Sequence, residues 1–218
     1  MTNNLQDVFN RIAPSWYNYR HWTIFRHELE TLAKEWRQGK LLNLGCGHGA
    51  DFLPFANKFE LYGVDFSDEM IKLARKYAGK FNYDVNLSVA DVRCLPYQDE
   101  TFDYVISVAT YHHLKRDDQL QAFLELKRVL KSGGSAFITV LNRWQPQFWF
   151  KGKEVRIPWR TQRETLFRYY YLFTYGEFKR LAERAGLEIV QISPENTYHF
   201  PVKLFSKNIC LIIKKQYN

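Results

Sequence analysis

The stretch KLLNLGCGHGADFLPFANKFELYGVD, Lys40 to Asp65, constrains this chain more than any other. The apolar run Leu41-Leu42-Asn43-Leu44 reads as a buried strand. Gly45-Cys46-Gly47-His48-Gly49 makes a tight turn after it. Asp51 to Lys58 reads as a helix, and Leu61 to Val64 as a second strand ending on Asp65. Strand, glycine turn, helix, strand and acid form a nucleotide-binding half-unit. The glycines let a ligand approach bare amides at a helix start. An acid about 20 residues after the first glycine can accept hydrogen bonds from both hydroxyls of a ribose. The spacing here is G-x-G-x-G, not the dinucleotide G-x-G-x-x-G, and such turns also serve as plain structural connections. The strand before the turn and the acid after it favour a nucleoside cofactor.

The rest of the chain extends the unit. Asn3 to Ala13 has apolar residues at helical spacing (Leu5, Val8, Phe9, Ile12), with Pro14 as the expected stop. A second helix is expected over Thr23 to Arg37. After Asp65, Ser67 has the character of an N-cap, and Met70, Leu73, Ala74 and Tyr77 give that helix an apolar face. Val85 to Ala90, Tyr104 to Ala109 and Ala136 to Leu141 are predicted strands. Asp117 to Leu130 is a predicted helix, and Ser132-Gly133-Gly134-Ser135 a predicted turn. This alternation predicts an α/β, doubly wound, mostly parallel sheet, in which ligands bind outside the carboxyl ends of the strands. Those ends carry Gly45, Asp65, Asp91, Ser107 to His113, and Asn142. Tyr175 to Ala185 is then a helix, and Leu187 to Ile192 and Lys207 to Ile213 are strands, the last able to pair antiparallel.

Charge is uneven. The net charge is +8, and Arg143 to Arg184 alone holds ten Lys/Arg against four Glu. Within it, Asn142 to Tyr171 breaks the alternation and mixes cations with Trp144, Phe148, Trp149, Phe150, Trp159 and Phe167. That segment reads either as a loop that folds its aromatics into the core or as an insertion over the site suited to stacked bases and phosphates. Three scattered cysteines, Cys46, Cys94 and Cys210, form no metal-spaced cluster. The absence of a signal pattern and of any long apolar run predicts a cytoplasmic, single-domain protein without a membrane span. Its parts would be a helical cap over 1–39, a cofactor-binding core over 40–141, the basic aromatic insertion over 142–173, and a C-terminal helix and strands over 174–218.

The set LLNLGCGHG, YGVDFS, VADVRCLPY, FDYVISVATYHHL and VLKSGGSAFITV, from Leu41 to about Val140, resembles the class I methyltransferases that use S-adenosyl-L-methionine. The resemblance implies a seven-stranded, Rossmann-like sheet with a final antiparallel hairpin. It implies that Gly45 to Gly49 line the methionine part of the cofactor, that Asp65 holds the ribose and that Asp91 holds the adenine amino group. The implied cofactor set is Asn43, Gly45, Cys46, Gly47, Gly49, Asp65, Phe66, Ser67, Asp91, Val92 and Ser107. A structural role for Asp91, as a turn residue before Leu95-Pro96, stands beside this one.

IAPSWYNYRHW, ATYHHL and RYYYLFTYGEF are similar to the tRNA wobble-uridine carboxymethyl methyltransferases. These form a methyl ester on 5-carboxymethyluridine in the anticodon loop and often work with a small zinc-ribbon activator protein. The likeness implies that Arg20, His112 and His113 approach the substrate. The chain departs from the family pattern at Tyr171, where His is common, and at Asn208-Ile209, where Asn-Trp is common. The core also suits a small-molecule methyltransferase with a carboxylate, quinone or amine acceptor, or a non-catalytic cofactor-binding subunit.

Overall fold

Buried strands with apolar residues on both faces need helices on both sides, and the chain supplies them. The computed structural model describes residues 5–161 and 164–217. Two helices come first, α1 (Leu5–Tyr19) and α2 (Arg26–Glu35). Strands β1 (Lys40–Leu44), β2 (Glu60–Asp65), β3 (Asn86–Val89), β4 (Phe102–Val108) and β5 (Leu130–Leu141) follow, with α3 (Asp68–Phe81) and α4 (Arg116–Val129) between them. A hairpin, β6 (Glu154–Arg160) and β7 (Thr165–Tyr171), precedes α5 (Tyr175–Arg184), β8 (Glu188–Pro194) and β9 (Asn208–Lys214). The main sheet has seven strands in the order β3-β2-β1-β4-β5-β9-β8. β9 alone runs antiparallel to its two neighbours, β5 and β8. This is the class I methyltransferase architecture expected above.

The two-residue period of β1 divides the core. Leu42 and Leu44 pack with α4 and α5 through Phe123, Leu126 and Phe178. Leu41 faces the other way, towards Leu29 and Leu32 of α2 and Phe52 and Phe55. Ser67 caps α3 by accepting from the amide of Met70 at 3.1 Å, a contact worth about 1 kcal/mol. Among the described residues, no helix is long and apolar enough to cross a membrane.

Five expectations are corrected. The first helix does not stop at Pro14 but runs to Tyr19. The proline removes one amide and costs roughly 3 kcal/mol in a helix interior. Tertiary contacts beyond it offset that cost: the Trp16 ring lies 5.1 Å from Trp159, and the amide of Arg20 still donates to the Trp16 carbonyl at 2.8 Å. Asn3 lies outside the described residues. The second helix begins only at Arg26. The segment after the glycine turn is a 3-10 helix over Ala50–Phe55, with Pro54 inside it. Ser132 to Ser135 is not a turn between elements; it bulges within β5, whose register jumps from Leu130 opposite Phe102 to Ser135 opposite Tyr104. The irregular insertion is largely the β6–β7 hairpin. Its inner face carries Ile157, Trp159, Leu166, Arg168 and Tyr170, and its outer face Arg156, Pro158, Arg160 and Phe167.

Candidate active site

β1 delivers the chain into the glycine turn, and backbone geometry explains its composition. Gly45, Gly47 and Gly49 have φ of 69°, 53° and 91°, a region side chains rarely adopt. A Cβ on Gly45 would collide with Thr110, whereas one on Gly47 would meet open space. The bare Gly47 backbone therefore faces a cavity. The amides of Gly45 and Cys46 both donate to the Val64 carbonyl, at 2.8 and 2.9 Å. Asp65 closes on the turn from the end of β2: its Oδ2 accepts from the amide of Gly47 at 2.9 Å and its Oδ1 from that of Ser67 at 2.9 Å. Burial pushes the Asp65 carboxyl up to about 6, against the pull of those two amides.

Just before the turn, the Asn43 side chain is fully buried, with neither its oxygen nor its nitrogen partnered. Orphaned polar atoms of this kind cost about 1–3 kcal/mol each. A glycine backbone open to the cavity, an orphaned amide side chain and a buried acid at a strand end suit the charged tail and the diol of S-adenosylmethionine, so the residues fit the cofactor the sequence implies.

The other expected cofactor residues lie around this turn rather than in the cavity. The Ser67 hydroxyl donates to Asn10 of α1 at 2.6 Å, and the Phe66 carbonyl accepts from Gln6 at 2.7 Å, so α1 lies across the β2 end. Ser107 donates to the Leu44 carbonyl at 3.0 Å and braces β1. Val92 packs in the main core. Burial of Asp91 works against its charge, but Arg93 overrides it and holds the carboxyl below its usual range; the same arginine also pairs with Asp118.

Gly45, Cys46 and Gly47 share a cavity of about 290 Å³ with Arg20, His112 and His113. The topology thus brings the turn and all three expected substrate residues together. The histidine pair follows β4 in a short 3-10 turn, Tyr111–His113. Their hydrogen bonds fix opposite tautomers. The amide of Leu141 donates to His112 Nδ1 at 3.1 Å, leaving the proton on Nε2. His113 Nδ1 donates to the Tyr169 carbonyl at 2.8 Å, leaving Nε2 as an acceptor. Burial keeps both neutral, with His113 pushed down to about 3. The pair therefore offers one donor and one acceptor. Arg20 forms no ion pair among the described residues, and its guanidinium lies 5.2 Å from the Trp16 ring centre.

Sequence reasoning missed several cavity residues. Asp51, on the 3-10 turn, is pushed by burial up to about 6 while the Thr23 hydroxyl and Arg20 pull it down. Arg168 and Tyr170 reach the cavity from β7, with Tyr170 stacked on His112 at 4.9 Å. The available signal was the two-residue alternation Val155, Ile157, Trp159, which marks a strand pair with one face turned inward. Of the tyrosine run, Tyr171 packs against Phe173 in the core.

The sequence matches the model of the methyltransferase domain over residues 41–134. It is 35% identical over 135 residues to the tRNA (carboxymethyluridine(34)-5-O)-methyltransferase of Saccharomyces cerevisiae, covering 60% of this chain and 45% of that one. The chain thus spans less than half the length of that relative. It is 30% identical over 194 residues to a methyltransferase-family protein of Encephalitozoon cuniculi, covering 84% of this chain and 85% of that one. Among solved structures it superposes, with a TM-score of 0.70 at 17% identity, on the complex between the Haloferax volcanii Trm112 methyltransferase activator and its methyltransferase, covering 99% of each chain. At that identity the likeness is one of fold.

Proposed function

Because the chain belongs to the S-adenosylmethionine-dependent methyltransferases, we propose that it methylates the carboxylate of 5-carboxymethyluridine at the wobble position of a tRNA anticodon loop, forming a methyl ester. One observation carries the reading: Arg20, unpaired, and two neutral histidines of opposite tautomer share a cavity with the glycine turn. The similarity to the yeast enzyme supports it.

When bound, S-adenosylmethionine supplies an electrophilic methyl group. Asn43, the Gly45–Gly49 turn and Asp65 are the residues that would hold it, with Phe66, Ser67, Asp91, Val92 and Ser107 around its nucleoside half. The acceptor carboxylate has a pKa near 4 and is ionised at neutral pH. It needs no base; it needs to be held, aligned and dried. Arg20 offers a planar two-pronged donor for its oxygens. His112 donates through Nε2, and His113 accepts from a ring N–H of the base. Trp16 and Tyr170 wall the cavity and exclude water. Positioning of this kind supplies several kcal/mol towards the barrier.

The outer surface favours a nucleic acid over a free small molecule. Lys151, Lys153, Arg156 and Arg160 are exposed beside Trp149, Phe167 and a fully exposed Phe150. Cations interleaved with aromatic faces suit phosphates and unstacked bases. A small zinc-ribbon activator is part of the proposal, supported by the solved Haloferax complex. The cap, core, insertion and C-terminal elements are proposed to work as one domain.

The test uses labelled S-adenosylmethionine with unmodified and carboxymethylated tRNA, with and without a zinc-ribbon partner. Label should enter only the carboxymethylated RNA and leave as methanol in mild alkali. Cofactor binding without label in either RNA, with the partner present, would sink the tRNA reading and favour a small-molecule acceptor.

A further inference from the structure

Arg168 is the most unusual charge in the molecule. It sits on the inner face of β7, only 7% exposed, and lines the cavity. Among the described residues its guanidinium has no acidic partner and no hydrogen bond, and its Nε is buried and unpartnered. What surrounds it is aromatic: the guanidinium carbon lies 4.9 Å from the Trp159 ring centre, 5.3 Å from Tyr170 and 5.6 Å from Trp16. Such faces compensate a cation only in part. The second arginine, Arg20, stands over the same Trp16 ring, and its Nε is also buried and unpartnered. Two like charges on one indole repel each other, and Arg168 has lost most of its water while Arg20 is half-buried. A buried charge without a partner is strongly unfavourable. A structural arginine would spend its donors on carbonyls or acids, as Arg128 does on Glu125, Asp99 and the Leu95 and Tyr97 carbonyls.

We propose that Arg168 is a second acceptor-binding residue, which together with Arg20 makes the cavity select an anionic oxygen nucleophile over a neutral one. This rests on the carboxylate reading of the site but not on tRNA as its carrier. The anion occupies only some of the ten donors of the two guanidiniums, and His112 lines the same cavity. Three aromatic rings around the Arg168 guanidinium restrict its movement before the acceptor arrives. Asp51, on the same cavity, already opposes the charge of Arg20, so a neutral amide or ester of the same shape would leave Arg168 uncompensated, which is where the selectivity originates.

The test is calorimetry on the protein loaded with S-adenosylhomocysteine. Each carboxylate is paired with a neutral analogue: 5-carboxymethyluridine with its methyl ester, and phenylacetate with phenylacetamide. The wild type is expected to prefer the carboxylate by about tenfold or more, the scale of a charged hydrogen bond. Arg168→Gln should bring that preference within about threefold while S-adenosylhomocysteine affinity stays within about twofold, and Arg168→Lys should fall between. Preference for phenylacetate without any binding of 5-carboxymethyluridine would keep the role of Arg168 and remove the wobble-uridine reading. The inference is overturned if the wild type shows no preference for either carboxylate, or if Arg168→Gln weakens acid and neutral ligand equally. Should Arg168→Gln fail to fold by circular dichroism, the wild-type preference and Arg168→Lys decide: an Arg168→Lys preference equal to that of the wild type overturns the proposal.

Discussion

The two halves of the cavity are built on opposite plans. The proposed cofactor half comes almost entirely from one run of chain, Asn43 to Ser67, and its acid is tied to backbone amides of that same run. The proposed acceptor half draws on three distant segments: Trp16 and Arg20, His112 and His113, and Arg168 and Tyr170. Among the described residues its two arginines form no ion pair, and Asp51 acts on Arg20 from across the cavity. The titrating groups also differ in sign. Burial raises Asp65 and Asp51 on one side and lowers His113 and His112 on the other. A local motif can satisfy its own polar groups, whereas an assembled pocket can keep donors in reserve for a ligand.

The largest effect should separate the halves outright. Asp65→Ala is expected to weaken S-adenosylmethionine binding by about 100-fold or more, since it removes a buried acceptor and frees the amides of Gly47 and Ser67. Calorimetry showing wild-type affinity would mean that the cofactor half lies elsewhere. Next come Arg20→Ala and His113→Ala, expected to lower turnover by about 10- to 100-fold with cofactor affinity nearly unchanged. Wild-type turnover in both would dissolve the acceptor half as drawn.

The difference in sign predicts opposite pH responses. His113 is held neutral with a pKa near 3. Its contribution to stability is present above about 6.5, the ordinary histidine value, and is lost as pH falls through about 3, because the unfolded chain takes the proton more readily. From pH 6.5 to 5 the loss is at most about 2 kcal/mol, and His113→Gln should remove it in denaturant titrations at the two pH values. Asp65 behaves in the reverse sense: its folded pKa near 6 stands above the ordinary 3.8. Its contribution is present below about 3.8 and lost as pH rises through about 6, so Asp65→Asn should steepen the acid-side loss. Equal slopes in all three proteins would erase the contrast.

A smaller effect concerns the frame. Ser67→Ala should cost about 1 kcal/mol of stability by removing the α3 cap, with the midpoint of chemical unfolding as readout. Smallest is the outer face of the hairpin: Arg156→Ala should reduce the slope of log tRNA affinity against log salt by roughly one. An unchanged slope would place the RNA elsewhere.

Legibility in the sequence followed the same division. The strand β1, the turn, β2 with Asp65, the Ser67 cap and the antiparallel end of the sheet all follow from periodicity, glycine placement and the family resemblance. Arg20, His112 and His113 were nameable from the resemblance, but not the tautomers that the Leu141 amide and the Tyr169 carbonyl impose. Pro14 misled because a local rule met tertiary packing stronger than itself. The hairpin was hidden by composition: cations and aromatics mask the alternation that turns Arg168 inward.

The sequence by itself determined the run of β1, the glycine turn and β2 with its closing acid, because these depend on residues close in the chain whose backbone demands are local. Only the tertiary structure decided which charges would be left without partners. Whether an arginine is paired depends on what the folded chain brings within hydrogen-bond reach, and Arg20 and Arg168 are separated by more than half the chain yet share one tryptophan ring.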